Sequence, residues 1–167
     1  SDVCSSDLNN MSSSSYMFKI ILIGPPQVGK SAFIKTHAMD KLELAKVTRI
    51  DIKTTIGIVT LDLWDCHDQT DYTHAHAAII ISDITHPESI LEISKFRENV
   101  NAICGDIPVI SCINKLDLIN TRKKTFGTYC CMSVKNSVNI NKPFLDIIRI
   151  LFNDNSITLN SMLTKSI

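Results

Sequence analysis

Gly24-Pro25-Pro26-Gln27-Val28-Gly29-Lys30-Ser31 satisfies the pattern GxxxxGK[ST] at every fixed position. Its flanks supply the context that the pattern requires. Before it, Tyr16-Met17-Phe18-Lys19-Ile20-Ile21-Leu22-Ile23 is an apolar run rich in β-formers and ended by Gly-Pro-Pro, which reads as a buried strand. After it, Ser31 to about Leu44 carries Phe33, Ile34, Ala38 and Leu42 at helical spacing. A glycine-rich turn between strand and helix lets successive N–H groups converge on an anion, and the helix N-terminus adds positive potential. The phosphate-binding set is then Gly24, Gln27, Val28, Gly29, Lys30, Ser31 and Ala32. Lys30 neutralises β- and γ-phosphate charge, and Ser31 offers its hydroxyl to Mg²⁺.

Outward from the loop, strands and helices alternate. Ile58 to Trp64 reads as a strand running into Asp65, and Ala77–Asp83, Pro108–Ile113 and Gly127–Met132 as three more. A helix over about Pro87 to Ile103 has proline in its first turn, Glu88 at its positive end, and Ile90, Ile93, Phe96, Val100 and Ile103 inward. A closing helix over about Lys142 to Phe152 puts Phe144, Ile147, Ile148 and Leu151 on one stripe. The pattern predicts an α/β fold with a mostly parallel central sheet and helices on both faces. Asn114-Lys115-Leu116-Asp117 ends the Pro108–Ile113 strand, where a base-reading loop belongs in such a sheet. A carboxylate at Asp117 accepts two hydrogen bonds from the ring N–H and exocyclic amine of guanine, a pattern adenine does not present. The Lys115 stem covers one face of the base.

Composition is consistent with one globular domain. Of 167 residues, 44% are apolar and 20% charged, and 17 basic side chains balance 17 acidic ones. That balance leaves no general basic face, so direct nucleic-acid binding is not expected. The expected state of the chain is a monomer. The cysteines at 4, 66, 104, 112, 130 and 131 form no CxxC pair, which predicts free, mostly buried thiols in a reducing compartment, cytoplasm or nucleus. No run approaches a membrane span. Ser1-Asp2-Val3-Cys4-Ser5-Ser6-Asp7-Leu8 is what a common sequencing adapter encodes in one frame, so residues 1–10 read as such an artefact or a disordered start. Residues 11–153 then form the domain, and 154–167 a flexible tail without the cysteine that prenylation needs.

In motif order and content the chain from Phe18 to Phe152 resembles a P-loop protein of the Ras superfamily of small GTPases, and the Ran branch most. Ser133-Val134-Lys135-Asn136 and Lys142-Pro143-Phe144-Leu145 carry the Ran likeness. The resemblance implies GTP/GDP and Mg²⁺ as ligands, regulator and effector proteins as partners, and a place in nuclear transport. It also implies roles for further residues. Thr54-Thr55-Ile56-Gly57 resembles the first switch, with Thr55 sensing the γ-phosphate and holding Mg²⁺. Leu63-Trp64-Asp65 and Gln69 resemble the second, with Asp65 beside Mg²⁺ and Gln69 orienting the attacking water. Ser133, Val134 and Lys135 support guanine through backbone contacts.

The departures from the family pattern concern turnover. Asp68 stands where the family has glycine before the glutamine; it adds like charge near the γ-phosphate and lacks glycine's freedom in φ. Pro26 contributes no N–H to the cradle. The spacing from Gly57 to Trp64 leaves too little chain for the usual hairpin, which predicts a lost or truncated strand, and Thr70 to His76 leaves little of the second-switch helix. The position that usually stacks an aromatic on guanine falls on Thr48. Asp65, His67, Asp68, His74 and His76 read either as a transition-metal cluster or as a solvated loop, and His37 and His86 as surface residues. Three functions remain open: a GTP/GDP switch with slow hydrolysis, a non-catalytic interaction module of the same fold, and an ATP-dependent enzyme that makes Asn114–Asp117 accidental.

Overall fold

The computed structural model describes residues 15–38, 46–119 and 127–163. Seven strands form one sheet in the order β6-β5-β4-β1-β3-β2-β7. They are β1 (Tyr16–Ile23), β2 (Val47–Thr54), β3 (Gly57–Asp65), β4 (Ala77–Asp83), β5 (Val109–Asn114), β6 (Cys130–Cys131) and β7 (Leu159–Leu163). The helices are α1 (Lys30–His37), α2 (Pro87–Leu91), α3 (Ile93–Cys104) and α4 (Lys142–Phe152), with 3₁₀ turns at Gln69–Tyr72 and Leu116–Leu118. Strands β3, β1, β4, β5 and β6 run parallel, while β2 is antiparallel to both β3 and β7.

Alternation along the central strands divides the core in two. Ile20 and Leu22 face one side and pack with Phe33 and Ile34 of α1 and Phe144, Ile147 and Ile148 of α4. Ile21 and Ile23 face the other and pack with Ile93 and Val100 of α3 and with Tyr72. Strand β4 is buried along its whole length, as a parallel strand covered on both faces must be. Each fully buried Phe or Ile on α4 contributes about 1.5–3 kcal/mol, enough to hold that short helix on the sheet.

Several elements differ from the sequence reading, each for a local reason. The hairpin expected to be lost is present, because its first strand lies upstream in Val47–Thr54, where Ile50 and Ile52 alternate with Arg49, Asp51 and Lys53. The turn is tight: Thr54 Oγ1 donates to the Gly57 carbonyl at 2.8 Å, accepts from Ile56 N at 3.2 Å, and Gly57 sits at φ 117°. The truncated strand is instead β6, two residues long, after a turn in which Gly127 has φ 59°. Helix α1 ends at His37 because Ala38 is already extended at ψ 140°; residues 39–45 lie outside the described region, as do 1–14, 120–126 and 164–167. Glu92 divides the predicted 87–103 helix into α2 and α3.

The expected flexible tail is not wholly one. Ile157 is fully buried, Arg149 Nε donates to its carbonyl at 2.9 Å, and β7 pairs with β2. His37 is likewise no surface residue: it is 4% exposed, lies between Phe33 and Phe144, and bonds the Phe33 carbonyl at 2.8 Å and Asn141 Oδ1 at 3.1 Å.

Candidate functional site

Parallel pairing brings the ends of β1, β3, β4 and β5 to one edge of the sheet, and the loop at 24–31 leaves β1 there. The loop conformation is set by left-handed backbone at Gln27 (φ 65°) and Gly29 (φ 106°). A Cβ on Gly24 would stand 2.2 Å from the Ile81 carbonyl oxygen, so the loop crosses β4 at a distance only glycine allows. No side chain caps α1, and its first turn holds no acidic residue, so its leading N–H groups remain available to an anion. Lys30 Nζ donates to the Gly24 and Pro25 carbonyls at 2.7 and 2.8 Å. Burial pushes its ammonium below the ordinary value, and the charge of Asp65 partly offsets this.

Asp65 ends β3 level with Leu22 of β1. It is 7% exposed, and its Oδ1 is buried with no hydrogen-bond partner. A buried, unpartnered carboxylate oxygen costs stability unless something positive meets it. Together Gly24–Gln27, Gly29–Ala32 and Asp65–His67 line a cleft of about 590 Å³, bounded on the far side by Glu92 and Phe96. A second hollow, of about 480 Å³, lies between α3 and α4 against the first half of β5, and no residue of the 24–31 or 114–117 loops lines it.

The Asn114–Asp117 loop is joined to the loop at 24–31 by side chains. Asn114, buried at the end of β5, donates from Nδ2 to the Val28 carbonyl at 3.0 Å and accepts at Oδ1 from Val134 N at 3.0 Å. Lys115, in the left-handed region at φ 66°, reaches back to the Gln27 carbonyl at 3.0 Å. Ser133 Oγ donates to Asp117 Oδ1 at 2.5 Å, orienting the carboxylate assigned to guanine. Three separated segments, the loop at 24–31, Asn114–Asp117 and Ser133–Val134, thus meet at one point. The Val134 N–H is already engaged by Asn114, and the Lys135 side chain is exposed.

A scan against protein-family models matches residues 19–153 to the Ras family. The chain belongs to the Ras family. It is therefore a small-GTPase-like nucleotide-binding switch, of a family that binds GTP and GDP with Mg²⁺ and acts through regulator and effector proteins. The donor set fits the metal: Ser31 and the Asp65 carboxylate, whose Oδ1 has no hydrogen-bond partner, would hold Mg²⁺, which would neutralise β- and γ-phosphate charge. No helix among the described residues is long and apolar enough to cross a membrane.

Other assigned residues are not brought to this edge. Thr55 lies in the β2–β3 turn, at the opposite end of β3 from Asp65, roughly 25 Å away at about 3.3 Å per strand residue. There its N–H donates to the Thr158 carbonyl at 3.2 Å and its Oγ1 accepts from Thr158 N at 3.3 Å, so in this structure it holds the segment that leads into β7. Thr48 lies within β2 opposite Leu63, four strand spacings (about 19 Å) from β5, too far to cover the base. Gln69 is exposed on its 3₁₀ turn and does not line the cleft.

Asp68 turns away from the role that sequence suggested. At φ −140° it needs no glycine freedom, and its Oδ1 accepts from Thr70 N at 2.8 Å and from the Thr70 hydroxyl. Those bonds hold its carboxyl below the usual range. The proposed transition-metal cluster is not assembled: Asp65 is buried at the cleft, whereas His76 Nδ1 accepts from Lys19 N at 2.9 Å, and no group of three or more metal-competent side chains occurs among the described residues. Cys66, Cys112 and Cys130 are free and buried, Cys104 is free and half-buried, and Cys131 is buried as well.

Sequence reasoning quoted Asp83 only as the end of a strand. The structure puts its buried carboxylate at the back of the site, where Oδ2 meets Lys115 Nζ at 2.6 Å and His86 Nδ1 at 3.1 Å. Burial pushes this carboxyl up, but the bonds from Lys115, Thr85 and His86 outweigh it and hold it at about 2. A run of Asp-x-Thr-His at a strand end was the available signal.

Proposed function

We propose that the chain is a guanine-nucleotide switch of Ran-like ancestry that binds GTP or GDP with Mg²⁺ and hydrolyses GTP slowly. One observation carries the guanine reading: Asn114 bonds the phosphate loop and the Val134 loop at once, while Ser133 aims Asp117, the carboxylate suited to the guanine edge. An ATP-dependent enzyme would have no use for that carboxylate. Lys30, Ser31 and Asp65 hold the phosphates and metal, and Gly24, Gln27, Val28, Gly29 and Ala32 supply the cradle. Slow turnover is supported by Gln69 standing outside the cleft and by Pro26 lacking an N–H donor.

The same facts favour a second reading, a non-catalytic member of the fold that binds nucleotide and serves as an interaction module. Thr55, engaged with Thr158, adds to it. Gentle purification followed by chromatography of the released nucleotide tests the binding step. Bound GDP or GTP supports the proposal, and ATP competing as well as GTP for a fluorescent analogue would overturn it. Multiple-turnover phosphate release separates the two readings. Turnover that Gln69→Ala abolishes identifies a slow GTPase, and phosphate release at the buffer rate identifies the non-catalytic form.

A further inference from the structure

We propose that Asp83 is a positioning residue for nucleotide binding, holding Lys115 across the phosphate loop from behind. This rests on the guanine-nucleotide reading above and adds to it a residue that touches no ligand. Lys115 has three ammonium donors and a long, mobile stem. The structure fixes it at two points, Gln27 O at 3.0 Å and Asp83 Oδ2 at 2.6 Å, so that one lysine spans the base-reading loop, the phosphate loop and the end of β4.

Asp83 is itself held firmly. Its Oδ1 accepts from Thr85 N at 2.8 Å and Thr85 Oγ1 at 2.7 Å, and its own N–H and carbonyl both bond Ser89 Oγ. Its side chain is 3% exposed, while that of Lys115 is 31% exposed. The buried, rigid partner therefore sets the place of the more exposed, flexible one. The ammonium is also attracted more strongly by the Asp83 carboxylate, an opposite charge, than by the uncharged Gln27 carbonyl. Without the Asp83 charge, the Lys115 ammonium returns to water and its stem leaves the surface on which the base lies.

The test is a double-mutant cycle on dissociation of fluorescently labelled GDP, using Asp83→Asn, Lys115→Met and the pair. The asparagine keeps an acceptor for Thr85 and removes the charge. Asp83→Asn is expected to speed release about tenfold, Lys115→Met by at least as much, and the pair no more than Lys115→Met alone. A merely structural role for Asp83 gives multiplicative effects in the pair, and that result overturns the inference, as does release within twofold of wild type in Asp83→Asn. If Asp83→Asn does not fold, Asp83→Ser completes the same cycle. Wild-type protein that fails to bind labelled GDP overturns the guanine-nucleotide reading itself, an outcome seen before any variant is made.

Discussion

Gly29→Ala isolates the contact on which the whole site depends. A Cβ on Gly29 would stand 2.4 Å from Asn114 Nδ2, well inside any tolerable contact. Asn114 cannot simply rotate away, because that amide bonds the Val28 carbonyl and its Oδ1 takes Val134 N. Displacing it forfeits two buried hydrogen bonds at about 1 kcal/mol each, and more if the partners stay unsatisfied. The φ of 106° adds strain of about 1–2 kcal/mol for an L-residue. The sum is about 3–5 kcal/mol, which for a domain of this size lowers the thermal midpoint by roughly 10 °C. Calorimetry or fluorescence melting reads the stability loss, and labelled-GDP dissociation reads the site, where release should quicken by at least about tenfold. Gly24→Ala is a useful contrast, since its clash is with the Ile81 carbonyl of a strand paired on both sides. Nothing there can turn aside, so that variant should lose more stability than Gly29→Ala. A Gly29→Ala protein melting within about 2 °C of wild type, with unchanged GDP release, would refute the reasoning.

Four more outcomes are expected. Asp65→Ala should make nucleotide release fast with or without EDTA, whereas wild type should release faster only on chelation; the nucleotide-free variant should melt no lower than wild type, because the lost oxygen had no partner. Thr55→Val should leave nucleotide affinity and its Mg²⁺ dependence unchanged and cost less than about 1 kcal/mol through the Thr158 contact; lost Mg²⁺ dependence would show that the β2–β3 turn is not where Thr55 acts. Burial lowers the His37 pKa despite its two hydrogen bonds, so the unfolded chain binds more protons as pH falls through the ordinary histidine value near 6.5; stability should drop below that pH, stay flat in this respect above it, and lose the slope in His37→Gln melts. Asp68→Gly should not raise phosphate release more than about twofold, since Asp68 already has ordinary backbone and spends its carboxylate on Thr70; strong activation in a phosphate-release assay would contradict that geometry.

What sequence disclosed and what it hid follow from range. The phosphate loop is local: the backbone requires its glycines, lysine and serine follow at fixed spacing, and the flanking strand is an apolar run. Asn114–Asp117 is local in the same sense, lying at the end of β5. Thr55 was misplaced because a four-residue string was matched to a switch, while the alternation of Val47–Thr54 marked a strand that would carry it to the far end of the sheet. His37 had a signal as well, lying one helical turn from Phe33 on the buried face of α1. The Asp83–Lys115 pair spans two strand ends, and no local pattern states that β4 and β5 are neighbours in register at Asp83 and Asn114.

Binding and turnover draw on different parts of this molecule. The binding half is assembled from side chains already bonded to one another: Asn114 to Val28 and Val134, Lys115 to Gln27 and Asp83, Ser133 to Asp117. A ligand entering it has little ordering left to do, which favours affinity. In the proposed slow GTPase, turnover would depend on Gln69, which stands outside the cleft on a four-residue turn in which Asp71 and Tyr72 are buried. Asp71 is also tied to Lys46 at 2.7 Å, and the Lys46 carbonyl accepts from Asp65 N at 3.0 Å. Moving Gln69 to the phosphate therefore means disturbing a segment anchored by burial and an ion pair, at a cost that repeats in every catalytic cycle. Nothing in the binding half offsets that cost. A partner that engages the 69–72 turn could offset it with its own contacts, so any activation of turnover should depend on residues around Asp71 and leave nucleotide affinity almost unchanged.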